Sequence, residues 1–78
     1  MMNQKAMGGE LVQENSISNC TDHCLSLSQQ ECTGVNFDLN TNQCWIIKFN
    51  YTQSDLEETP GFVNYRRVED CGIVYYFR

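Results

Sequence analysis

With 78 residues, one Pro and five Gly, the chain is long enough for one small domain and too regular in composition for a linker or low-complexity segment. Its formal net charge is −5, and the only basic residues are Lys5, Lys48, Arg66, Arg67 and Arg78. That argues against nucleic acid as a partner, because polyanions are bound by clustered Lys and Arg that release counterions; the Arg66-Arg67 pair reads as a solvated strand end. No stretch approaches the ~20 apolar residues of a membrane span, and residues 1–10 carry no apolar signal-peptide core. A domain of this size buries only about 60% of its unfolded surface and often needs extra restraint. Trp45, four Tyr and four Phe supply apolar bulk, and five Cys point to disulfides or metal.

In chain order, residues 1–9 are polar and end in Gly8-Gly9. They read as a flexible start, or as residues added for expression, ahead of a single domain over 10–78. Residues 10–13 can form a short strand. Ser16 is the better helix N-cap, with Ser18 the alternative. After it Ile17, Cys20, Cys24 and Leu27 recur at spacings of three, four and three, one face of an α-helix that fades around 28–30. Residues 34–39 alternate: Val35, Phe37 and Leu39 point one way, Asn36 and Asp38 the other. Asn40-Thr41-Asn42 is a tight turn. Residues 43–49 form the return strand of a hairpin, apolar on both faces at 45–47. Residues 50–59 are polar and acidic, with Asp55, Glu57 and Glu58, and read as an exposed loop with room for one helical turn. Pro60-Gly61 is a turn signal. Residues 62–67 form another strand with either Val63 and Tyr65 or Phe62 and Asn64 inward, and 73–77 a last strand-like run. A short strand, a helix and three or four further strands give an α+β fold with an antiparallel sheet.

Cys20 and Cys24, four apart, share the apolar helix face. Cys32 can fold back on Cys24, and Cys44 on the hairpin strand can reach Cys20. Four cysteines still allow three pairings, and five with one left over allow fifteen. The rival is zinc, with His23 as an extra ligand, but structural zinc sites favour C-x2-C or C-x4-C knuckles, and here a C-x3-C pair lies on a helix. His23 itself reads as an exposed helical residue with no visible titration partner. The C-x-x-C of thioredoxin-type redox proteins is absent. His23 adjoins Cys24 within one helix, a poor arrangement for a cysteine hydrolase. Glu57 and Glu58 read as solvated loop residues, and no glycine loop suited to a phosphate is present. These observations predict no enzymatic activity, metal or cofactor. Two sequons occur, Asn50-Tyr51-Thr52 and Asn19-Cys20-Thr21; Asn50, at a strand-to-loop boundary, is the better glycosylation candidate and Asn19, beside a cysteine, the weaker.

From Ser16 to Cys44 the chain reads S-I-S-N-C-T-D-H-C-(x7)-C-T-G-V-N-F-D-(x5)-C-W. This resembles the PAN/apple module, most closely its hairpin-loop form, as in the N-terminal domain of hepatocyte growth factor. Weaker similarity continues through F-V-N-Y-R to Cys71. The resemblance implies a five-stranded antiparallel sheet with one helix packed on it, and disulfides Cys20–Cys44 and Cys24–Cys32. It implies an extracellular, non-catalytic recognition or adhesion module for a protein or carbohydrate, within a larger secreted or cell-surface protein.

The chain departs from that pattern in two ways. Growth-factor relatives carry basic residues along this helix for heparin, whereas His23 and Ser26 stand here in an acidic domain, so heparin binding does not carry over. The longer apple form pairs an N-terminal Cys with one near the C-terminus. Residues 1–19 hold none, which leaves Cys71 unpaired, bonded to a partner outside the sequence, or joined to another chain as a disulfide-linked dimer. Two alternatives stand beside the recognition module: a zinc-stabilised intracellular interaction domain, and a matrix or assembly module crosslinked through Cys71 that pairs strands through 73–77. The expected contact surfaces are the exposed sheet face and the 50–59 loop. Trp45 is a candidate ligand platform, but its central apolar strand points to core packing.

Overall fold

The structure, a computed structural model, describes residues 2–67. The expected strand at 73–77 and Cys71 lie outside the described residues. The helix α1, Ile17–Leu25, begins where Ser16 takes an extended backbone and its Oγ accepts the Asn19 N–H at 3.1 Å. A cap of this type stabilises a helix by about 1 kcal/mol. Past the helix, Ser28 and Glu31 bond reciprocally: Ser28 N–H donates to Glu31 Oε1 at 3.1 Å and Glu31 N–H to Ser28 Oγ at 3.2 Å. This capping-box pair closes one turn and swings Cys32 back beneath the helix.

The five strands are β1 (Met2–Ala6), β2 (Glu10–Val12), β3 (Gly34–Asp38), β4 (Gln43–Ile47) and β5 (Leu56–Arg66). They form one antiparallel sheet in the order β1-β5-β3-β4-β2. The β3–β4 hairpin turns at Asn42, whose φ of 57° is a left-handed conformation that Asn tolerates. In the central strands Val35 stands opposite Ile46 and Tyr65, and Phe37 opposite Cys44 and Val63. These residues share one face and meet Cys20, Cys24 and Cys32 in the core, with Val12, Ile17 and Leu27 around them. Full burial of each Val, Ile or Phe there contributes about 1.5–3 kcal/mol. The inward set on β5 is thus Val63 and Tyr65. Leu39 projects past the end of β3 and is exposed.

Three expectations are corrected. Residues 2–6 are not a flexible start: they form β1, hydrogen-bonded to β5. The 50–59 loop is shorter than expected, because a single 3₁₀ turn, Gln53–Asp55, leads directly into β5. Pro60-Gly61 does not separate two elements but lies inside β5, where Gly61 takes φ 89° and the pairing register with β1 jumps from Met2↔Val63 to Gln4↔Glu58.

That jump reshapes the sheet. β1 and β2 are at opposite ends of the strand order, yet only residues 7–9 connect them. Four Cα steps reach at most roughly 14 Å, whereas four strand spacings of ~4.8 Å come to roughly 19 Å. A flat sheet cannot satisfy both. The bend at Gly61 resolves this by carrying the first half of β5, with β1, back over the sheet face opposite the helix. Gly8 and Gly9, with φ of 85° and 105°, then cross that face close to the Phe49 ring and the Trp45 Cβ.

Candidate ligand-binding surface

The covered part of the second face is built around two asparagines. Asn36 and Asn64 stand opposite each other on β3 and β5 and are 1% and 0% exposed. Asn36 Nδ2 donates to the Ala6 carbonyl at 2.9 Å, and its Oδ1 accepts the Ala6 N–H at 3.1 Å. Asn64 Nδ2 donates to Asn36 Oδ1 at 2.9 Å and to the Val35 carbonyl at 3.2 Å. Tyr51 OH in turn donates to Asn64 Oδ1 at 3.1 Å. Ala6, Ile47, Tyr51 and Leu56 close a small apolar cluster around this chain of bonds. The alternation that sets Asn36 against Val35 and Phe37 suggests a solvated position; the N-terminal segment buries it instead.

Beside the asparagines the same face carries a partly open aromatic row. The Trp45 and Phe62 rings lie 5.5 Å apart at 42°, and Lys5 Nζ sits 4.7 Å over the Phe62 ring. Leu11, opposite Trp45 in register and 53% exposed, extends the row toward β2. Trp45 therefore departs from the core role expected of it. Its strand is inside the sheet, but its side chain points away from the helix, and the N-terminal crossing and Phe62 cover it only in part. Aromatic rings give large contact area with few torsions to freeze, and a cation held over a ring adds a charge-bearing edge.

A second feature lies where β4 ends. An open depression of about 470 Å³ is lined by Gln29, Gln30, Thr33, Lys48, Phe49 and Asn50. Among them, Thr33 donates its Oγ1–H to the Ile47 and Phe49 carbonyls at 3.1 and 2.7 Å. At its rim Lys48 Nζ meets Glu10 Oε1 at 2.9 Å. This hydrogen-bonded ion pair holds the Glu10 carboxyl below its usual range and the Lys48 ammonium above its own. Both side chains are solvated, so the pair adds little to stability.

The structure joins Cys20 to Cys44 and Cys24 to Cys32, with Cα separations of 5.7 and 5.4 Å, and all four are fully buried. Sulfurs bonded in this way supply no thiolate to a metal, contrary to the zinc-stabilised alternative. No group of three or more His, Cys, Asp or Glu suited to a metal occurs among the described residues. His23 is not simply exposed: its Nδ1 lies 2.9 Å from Glu14 Oε2, at a partly buried contact. Asn19 and Asn50 are both exposed, as are Glu57 and Glu58. Arg66 is solvated, but Arg67 is not a strand-end charge. Its Nη1 donates to the carbonyls of Cys24, Leu27 and Cys32 at 3.4, 2.9 and 3.3 Å, binding the helix end and the Cys24–Cys32 loop to the sheet. No signal in the sequence sets Arg67 apart from Arg66; the strand pleat alone sends one outward and the other under the helix. No helix among the described residues is long and apolar enough to cross a membrane.

The family model described as PAN domain matches residues 3–75, nearly the whole chain. No curated protein and no solved structure matches it.

Proposed function

The chain belongs to the PAN domain family, whose members are protein- or carbohydrate-binding modules of extracellular proteins, and on that premise we propose that it is a non-catalytic recognition module. The observation that carries this reading is the partly open row of Leu11, Trp45, Phe62 and Lys5 on a sheet backed by a helix that the Cys20–Cys44 disulfide joins to β4. A rigid aromatic shelf of this kind is pre-organised, so a ligand meets little ordering cost on that side. Its ligand is a protein or saccharide, in an extracellular setting that suits buried disulfides. The net charge of −5, with His23 and Ser26 on the helix, weighs against polyanionic glycans such as heparin as the ligand. The cysteine pattern relates it most closely to the hairpin-loop form of the family. Cys71 is the candidate for a bond to another chain.

A glycan and protein binding screen on the oxidised domain tests the proposal. With any ligand so found, Trp45→Ala and Phe62→Ala weaken binding by about tenfold or more, as expected for central aromatic anchors, while the melting temperature shows that the fold persists. Full affinity in both folded variants would exclude this surface. Intermolecular bonding through Cys71 is read separately, from the loss of a dimer band on non-reducing gels in Cys71→Ser.

A further inference from the structure

The depression at the end of β4 has a lining unlike the aromatic row. Three of its side chains are amides, Gln29, Gln30 and Asn50, and one, Phe49, is a 43% exposed aromatic. Amides donate and accept together, which matches the vicinal hydroxyls of a sugar, while an aromatic ring packs on a sugar's C–H face. The depression is open to solvent, with a volume of about 470 Å³, so a sugar can lie against it without being enclosed.

One of the six lining residues is also the acceptor of a sequon. Asn50 is followed by Tyr51 and Thr52, and both neighbours of Asn50 are anchored. On one side the Phe49 carbonyl accepts from Thr33 Oγ1 at 2.7 Å. On the other Tyr51 is 5% exposed and its hydroxyl donates to Asn64. Tyr51 is thus buried, while Asn50 is exposed and lines the depression. The Phe49 ring is itself fixed, edge-on to Tyr51 with centroids 6.2 Å apart. Asn19 lacks this setting. It lies on α1, where residues two apart point to different sides.

We infer that Asn50 carries an N-linked glycan and that the first sugar of this glycan seats in the depression against Phe49, making the depression the receptor for the domain's own saccharide. The inference rests on the extracellular reading above. In the transfer, the Asn50 Nδ2 forms a bond to C1 of an oligosaccharide carried on a polyprenyl diphosphate. The C1–O bond to phosphate breaks, the lipid diphosphate leaves with the electron pair, and the amide nitrogen gives up one proton. The seated sugar would cover the exposed part of the Phe49 ring.

The test is secretion of the full chain from eukaryotic cells, followed by intact mass and thermal denaturation. The expected mass includes one glycan that disappears in both Asn50→Gln and Thr52→Ala and survives in Asn19→Gln. Phe49→Ala should lower the melting temperature of the glycosylated chain more than that of the Asn50→Gln chain, since only the first loses a sugar contact. An unglycosylated product with its four core cysteines oxidised overturns the inference and leaves the extracellular reading standing. An unglycosylated product with those thiols free overturns both. A glycan on Asn19 alone, or an equal effect of Phe49→Ala in the two backgrounds, overturns the seat.

Discussion

Toward the helix the sheet presents Val35, Phe37, Ile46 and Val63 and is joined to α1 by sulfur; toward the N-terminal segment it presents Asn36 and Asn64 and is joined by hydrogen bonds. The two sides solve the same problem, covering a small sheet, by different physics. On the helix side the crosslinks confine the unfolded chain and add to the burial of a close-packed apolar core. On the other side every buried amide must keep its partners, because a lost bond leaves a polar group stranded in a low-dielectric interior. The first side rests on non-directional apolar burial and crosslinks; the second rests on directional bonds that each need both partners.

The largest effect should come from the crosslinks. Cys20→Ala with Cys44→Ala opens the loop of sequence separation 24, and Cys24→Ala with Cys32→Ala the loop of separation 8. Loop entropy assigns these roughly 3.5 and 2.5 kcal/mol, with the sum an upper bound for nested loops. Urea denaturation should therefore rank the first pair as the costlier, and the reverse order would show that packing rather than chain closure governs the helix side. Next comes Asn36→Ala, which strands the Ala6 N–H and carbonyl and an Asn64 donor and should cost about 2–3 kcal/mol. Hydrogen exchange gives an independent check: the Ala6 amide should lose protection while the α1 amides keep theirs. A smaller loss, about 1.5 kcal/mol, is expected for Arg67→Met, which removes a charged donor from three carbonyls at the helix end. This substitution crosses between the two sides, since Arg67 ends the sheet and holds the helix.

The smallest effect belongs to the solvated Glu10–Lys48 pair. Because the Glu10 carboxyl is lowered in the folded state, its contribution is present above the ordinary carboxylate range and is lost as pH falls through the lowered value. Lys48 is raised, so its contribution is present below the ordinary lysine range and is lost as pH rises through the raised value. Any melting-temperature difference between Lys48→Met and the parent chain should thus be confined to intermediate pH and vanish in high salt. A difference that persists in strong acid would assign Lys48 a packing role instead.

Local elements were largely readable. Ser16 followed by Ile17, Cys20, Cys24 and Leu27 marks a helix because cap and periodicity both act within a few residues, and the structure has it at Ile17–Leu25. The alternation at Val35 and Phe37, the Asx-rich turn and the run after Gln43 mark the β3–β4 hairpin for the same reason. The segment at 2–6 was not readable as strand. Gln4 and Lys5 are ordinary solvent residues until they meet Glu58 and Glu57, more than fifty positions away. Asn36 and Arg67 look solvated on the same ground, and an inward Asn64 is only one of two alternatives for its strand, since nothing near them in sequence distinguishes a buried amide or guanidinium from a solvated one.

The sequence by itself determined the α+β class, the helix, the central hairpin and the resemblance to the PAN family, all carried by short-range patterns and the spacing of four cysteines. Only the tertiary structure decided which residues of β5 turn inward, that the N-terminal segment folds over the second face, and that Trp45 and Phe62 form a half-open row there. The reason is geometric. A three-residue crossing between opposite ends of the strand order forces the sheet to curl, and that constraint exists only once all five strands are in register.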